Sequence, residues 1–224
     1  MHDEFRLLLD KGGSFDAPAF MDTEIDAFFN ISIEKFVSKR MFGNNVRGTA
    51  FEQDQKRRDD LRNLVTTAHT GFLAFDDDAN KPNGLFVVLP GDYRHSINEE
   101  CILSGSSVGL SSSVRVGVKP ITHDSYNKLV DDPFNKPEAL IVYRLDFEGD
   151  RFEIIFGEGI IPADKGYVLR YIKNPATVSI DDEIDCDLSS HTHKEIVRMA
   201  VLEALENVEQ PRYQSTKIEL NEIE

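Results

Sequence analysis

Between Asp22 and Phe42, apolar side chains return every three or four residues: Ile25, Phe28, Phe29, Ile33, Phe36, Val37 and Met41. This is the period of an amphipathic helix, and its apolar face obliges the chain to supply a second surface to cover it. Asp22 or Thr23 is the expected N-cap. Gly43-Asn44-Asn45 is the expected stop, because these residue types tolerate left-handed backbone. Thr49-Ala50-Phe51-Glu52 fits a capping box that opens a second helix, with Phe51, Leu61, Leu64, Val65 and Ala68 on its apolar face. A connection of about six residues makes two such helices antiparallel, so residues 22–70 are expected to form a helical hairpin.

After Gly71 the period changes. Phe72–Phe75, Leu85–Leu89, Cys101–Leu103, Val114–Val118, Leu140–Phe147, Arg151–Phe156 and Tyr167–Ile172 are short β-rich runs separated by turn residues. Glu148-Gly149-Asp150 suits a hairpin turn, Ser104–Ser113 is a Gly/Ser loop, and Thr122–Val130 is a short helix stopped by Pro133. Thr192-His193-Lys194-Glu195 fits a further capping box. It opens a helix with Ile196, Val197, Ala200, Val201, Ala204, Leu205 and Val208 on one face, ending before Pro211. The expected fold is therefore α+β, an N-terminal helical hairpin and a C-terminal helix packed on a mostly antiparallel β-sheet. Four segments follow: an N-terminal arm (1–21), the hairpin (22–70), a β-rich body with the C-terminal helix (71–208) and an acidic tail (209–224).

Charge narrows the function. Forty acidic against 25 basic side chains leave a formal net charge of −15. That argues against a sequence-independent nucleic-acid binder, which must neutralise phosphates with Lys and Arg. It suits a surface past which DNA slides without sticking. The N-terminus lacks a basic, long-apolar signal sequence, and no run of about 18 apolar residues offers a membrane span. A cytosolic product is expected, at least until it is built into something larger. Cys101 and Cys186 belong to no CxxC pair, so free thiols are expected, with a single bridge open as the other reading.

Candidate chemistry is sparse. Cys186, Asp187, His191 and His193 are legitimate zinc ligands, but the spacing C-D-x3-H-x-H matches no recognised site, and the same residues serve as turn and cap residues before a helix. His69 and His123 lack a nucleophile in a recognisable elbow, since Gly105-Ser106-Ser107-Val108-Gly109 has the wrong order. Gly157-Glu158-Gly159 has no third glycine and no following helix, and Gly12-Gly13-Ser14 lacks the lysine of a P-loop. Asp76-Asp77-Asp78 and Asp131-Asp132 offer oxygen ligands for calcium without EF-hand spacing. Lys56-Arg57-Arg58, flanked by Asp54, Asp59 and Asp60, reads as a salt-bridged exposed face or a subunit contact. No catalytic residue, cofactor site or metal site is assigned from these patterns.

Several segments carry a resemblance. They are Phe51–Val65, the run Asp132-Pro133-Phe134-Asn135-Lys136-Pro137 before a strand, and the stretch from Tyr171-Ile172-Lys173-Asn174-Pro175 through His191–Val197 and Ala200 to Pro211-Arg212-Tyr213-Gln214. Together they resemble virion structural proteins of crAss-like and related gut bacteriophages. The resemblance implies a ring-forming subunit of the neck or tail barrel, a head–tail connector stacked beneath the portal between capsid and tail. Implied partners are further copies of itself, about 12 in a closed ring, together with the portal protein, other neck and tail ring proteins, and genomic DNA passing without specific binding. It implies no membrane, and a virion location after synthesis in the host bacterial cytoplasm. Two readings of other classes stay beside it: a small metal-dependent enzyme using Cys186, Asp187, His191 and His193, and a phage-encoded soluble binding module.

Overall fold

A computed structural model describes residues 1–10, 20–42, 51–73, 81–109, 111–138 and 140–207. Its contacts divide the chain into two compact units: residues 1–64 with 175–224, and residues 65–174. The second is therefore an insertion within the sequence of the first.

The first unit is helical. Helix α1 spans His2–Asp10, α2 Asp22–Met41, α3 Gln55–Leu61 and, from the far end of the chain, α5 His193–Asn207. Helix α2 buries Ile25, Phe29, Ile33, Phe36 and Val37, the face its period announced. Its cap differs from expectation. Met21 is the N-cap, Glu24 Oε2 accepts the Met21 N–H at 2.8 Å, and Asp22 instead pairs with Arg6. The expected stop at Gly43–Asn45 lies outside the described residues.

Two further corrections concern this unit. The expected N-terminal arm contains helix α1, which buries Phe5 completely in an aromatic cluster with His2, Phe20, Phe28 and Phe29. The second limb of the hairpin is also shorter than expected. Thr49 and Ala50 lie outside the described residues, Phe51–Gln53 is a single 3-10 turn, and α3 begins only after Asp54, whose carboxylate accepts the Lys56 N–H. The helix gives way to a 3-10 turn at Arg62–Leu64, and Val65 already belongs to a strand. Helix α5 buries Ile196, Val197, Ala200, Val201, Ala204 and Leu205 as its period requires.

The second unit is a seven-stranded sheet in the order β1-β7-β3-β4-β5-β6-β2. The strands are β1 Val65–Thr70, β2 Gly84–Val88, β3 Tyr93–Leu103, β4 Val114–Pro120, β5 Val142–Phe147, β6 Arg151–Ile155 and β7 Pro162–Lys173. Every pairing is antiparallel except β4 with β5. Parallel neighbours need a crossover, and α4 (His123–Asp131) supplies it. Strands β5 and β6 bury both faces. Val142, Phe152 and Ile154 join a core with Leu103, Phe156 and Leu169, while Tyr143, Leu145 and Ile155 pack with Tyr126 of α4. The α+β class and the mostly antiparallel sheet are thus both found. Of the expected strand Phe72–Phe75, Leu73 makes one bridge to Phe86, and Ala74 and Phe75 lie outside the described residues.

Gly157 shows how tightly this unit closes after β6. A Cβ built there would stand 2.8 Å from the Glu138 Cα, a backbone atom that cannot swing aside. Gly157→Ala is therefore expected to destabilise the protein by about 1–3 kcal/mol. Gly91→Ala, at a position with nothing within 4 Å of the built Cβ, should change stability by less than about 0.5 kcal/mol. Urea unfolding of the two variants checks this, and equal midpoints would contradict it.

Candidate functional site

The four residues weighed as zinc ligands do not converge. His191 Nε2 lies 3.0 Å from Asp60 Oδ1, whereas His193 Nε2 donates to the Leu188 carbonyl at 3.1 Å. Burial pushes the Cys186 thiol up, only partly offset by a hydrogen bond from the Leu188 backbone, and Asp185 and Asp187 push it further. A raised thiol is a poor metal ligand. Among the described residues no three His, Cys, Asp or Glu side chains are grouped to hold a metal ion.

The capping box expected at Thr192 is also rebuilt. Ser190–Thr192 forms a 3-10 turn, and Thr192 donates its hydroxyl to the Ser189 carbonyl at 2.8 Å. Glu195 is thereby released from capping and grips Arg40 instead, with both carboxylate oxygens 2.7 Å from Nη2. Arg40 Nε donates to Asp60 Oδ2 at 2.7 Å, and the guanidinium lies 4.5 Å from the Phe36 ring centroid. Arg40 is only 2% exposed. Removing one partner of such a buried pair strands the other's charge. Arg40→Ala is expected to lower stability by about 3–5 kcal/mol. Lys35→Ala, which breaks the exposed pair with Glu203, should cost less than about 1 kcal/mol. Chemical denaturation decides it; equal losses would mean that Arg40 is no keystone.

The basic run is corrected in part. Arg57 is buried rather than on an exposed face, and its Nη1 donates to the Lys39 carbonyl at 2.9 Å. The remaining candidates resolve into local structure. His69 is exposed on β1, and His123 Nε2 donates to the Asp146 carbonyl at 2.8 Å, tying the start of α4 to β5. Gly105–Val108 is a 3-10 turn ended by Gly109 at φ +73°, and Gly159 at φ +74° follows the tightly packed Gly157 in a turn. Asp132 bonds its own turn through both oxygens, to the Phe134 N–H (2.9 Å) and the Asn135 amide (2.6 Å). Those hydrogen bonds, the Asn135 side chain first, hold its carboxyl below the usual range. Gly12-Gly13-Ser14 and Asp76-Asp77-Asp78 lie outside the described residues.

Two ordered turns expose apolar side chains. Phe134 is 87% exposed at the tip of the turn that Asp132 organises, and the Tyr143 hydroxyl donates to the Asn135 carbonyl of the same turn at 2.5 Å. In the helical unit, Ser179 and Ile184 exchange backbone hydrogen bonds across a tight turn that carries the exposed side chains of Ile180 and Ile184. Helix α2 clamps this turn. Asn30 bonds both backbone groups of Val178, and Asp26 Oδ2 accepts the Ile180 N–H at 3.0 Å. Beside it lies a hollow of about 550 Å³ of mixed character, lined by Val178, Ile180, Ile184 and Cys186 and by the polar residues His2, Ser179, Glu183, Asp185 and His193. Exposed aromatic and branched apolar side chains on ordered turns are of the kinds that protein contacts use. The sequence signal for them was the Asp132–Pro137 run; nothing in the spacing around Ile180 and Ile184 announced the second. No helix of the described residues is long and apolar enough to cross a membrane.

Comparison with known proteins identifies a family. The family model described as phage tail ring protein 3/4 matches residues 1–215. Ring protein 3 of Bacteroides phage crAss001 is 27% identical over 212 residues, covering 89% of this chain and 90% of that protein. With a family match spanning nearly the whole chain, this protein belongs to the phage tail ring protein 3/4 family, structural ring components of the virion.

Proposed function

We propose that this chain is the repeating subunit of a homo-oligomeric ring in the neck or tail barrel of a tailed phage. The ring lies below the portal, connects capsid to tail and surrounds the channel through which the genome passes. The observation that carries the reading is the family match over residues 1–215. The stiff loops and the −15 net charge support the finer parts. Partners are about 12 copies of itself, the portal protein and adjoining ring proteins. DNA is handled by repulsion, because carboxylates facing the channel deter phosphates within a Debye length of about 8–10 Å. The subunit performs no catalysis.

Light scattering and negative-stain imaging of the purified protein, alone and mixed with the portal protein, test this. Closed rings that stack on the portal are the expected result. A strict monomer under all conditions, with no portal binding, would sink the reading.

Salt gives a second test. Copies that each carry −15 repel one another, so apolar contacts must hold the ring against that repulsion. Raising salt from about 0.1 M to 1 M shortens the Debye length from about 10 Å to about 3 Å. Association is therefore expected to tighten with salt in sedimentation velocity runs. Rings that fall apart instead would point to interfaces held by opposite charges.

A further inference from the structure

We infer that the open edge of β1 takes a further strand in the ring, supplied by residues 216–220 in the tail of the neighbouring copy. This rests on the ring reading above and names a contact that reading leaves open.

The two edges of the sheet are not alike. Along β2, Leu73 exchanges both backbone hydrogen bonds with Phe86 (2.8 and 2.9 Å), so the middle of that edge is already occupied. Along β1, every residue from Val65 to Thr70 pairs with β7 in unbroken register, and among the described residues no strand pairs on the other side. Alternate residues of a strand turn N–H and C=O away from its one neighbour, so about half of the backbone groups of β1 face outward unpaired. Proteins guard such an edge with lysines, a proline or a bulge, among other devices. The sequence Val-Thr-Thr-Ala-His-Thr has no lysine or proline, its register has no bulge, and Val65, Thr66, Thr67 and Thr70 are β-branched. In a chain whose residues are 29% charged, that bare edge is a template for strand addition.

The edge also states what kind of strand fits it. Ala68 packs against the core on the face it shares with Leu169, while Thr67 and His69 are exposed on the opposite face. Arg170, directly across from Thr67, is the one charged side chain in the paired stretch of β1 and β7. It is exposed, and no acidic side chain pairs with it among the described residues. An added strand must therefore be apolar on the core face and is favoured by an acidic group on the other.

The tail carries that pattern. Thr216-Lys217-Ile218-Glu219-Leu220 alternates with the period of a strand, placing Ile218 and Leu220 on one face and Lys217 and Glu219 on the other. With Ile218 and Leu220 extending the core beyond Ala68, Glu219 stands on the face of Arg170. Two strand spacings, about 10 Å, separate such positions, and Thr67 between them is short enough for the two longer side chains to meet above it. Helix α5 ends at Asn207, and residues 208–215 can extend over about 26 Å, a linker long enough to leave one copy and reach the next. Tail and edge are different surfaces, so their contact is heterologous and propagates around a ring. Two β1 edges pairing with each other would stop at a dimer.

The test replaces Thr67, exposed on the outer face, by p-benzoylphenylalanine, which cross-links under ultraviolet light. Rings assembled from a mixture of isotopically heavy and light copies should give cross-links from position 67 to residues 216–220, joining heavy to light chains. A chain truncated after Ser215, and the full-length double variant Ile218→Asp with Leu220→Asp, should keep the wild-type melting temperature yet weaken self-association at least about tenfold. Wild-type affinity in the truncated chain would overturn the inference while leaving the ring reading intact. So would tail cross-links confined to one chain, or cross-links from position 67 to residues 65–70 of another copy. A wild-type chain that never assembles would sink both.

Discussion

The helical unit hangs on one buried guanidinium. Arg40, at the end of α2, reaches Asp60 of α3 and Glu195 of α5, so a single side chain joins elements separated by up to 155 residues of sequence. Desolvating three charges is expensive, and only the pairing returns that cost. Asp60 uses its second oxygen on His191, and Glu195 sits in the first turn of α5, where the helix dipole favours a negative charge. The chain must therefore complete the whole sheet unit before the helical unit can close. Chain order alone makes the first unit discontinuous and the second an insertion.

A comparable arrangement sits inside the sheet. Arg144 pairs with Glu99 and lies 4.1 Å from the Phe152 ring centroid, while the Tyr167 hydroxyl donates to Glu99 at 2.9 Å. Burial and the adjacent Glu99 drive the Tyr167 hydroxyl far above its ordinary range, so it remains a donor. Glu153, buried in β6, accepts the Lys81 N–H at 2.6 Å. In each case a chemically capable side chain is committed to a neighbour within the fold.

Much of the fold was legible because burial writes a period into the sequence. Helices α2 and α5, the α4 crossover and the runs around Leu85, Val116, Phe152 and Leu169 all follow from it. The errors share one cause: local patterns have more than one use. Leu61, Leu64, Val65 and Ala68 keep helical spacing, yet Val65, Thr66, Thr67 and Thr70 favour a strand, and pairing with β7 decides the contest. Phe5 and Leu9, four apart behind Asp3 and Glu4, signalled α1, but the segment was too short for its period to stand out. Arg40 and Arg57 were illegible for a different reason. A buried cation is recognisable only through partners, and theirs come from distant parts of the chain.

The same distinction explains why the contact surfaces were harder to read than the core. A core residue is constrained by a period, whereas an assembly residue is constrained by a partner that the sequence does not contain. Only the framing of such a residue is local. Around Phe134 that framing is dense, with an aspartate closing its own turn, two prolines and a tyrosine hydroxyl from β5. Around Ile180 and Ile184 it is carried by α2, well over a hundred residues earlier, so the spacing there said nothing. For an acidic ring component, rigidly displayed apolar side chains are an economical means of offsetting charge repulsion within an assembly.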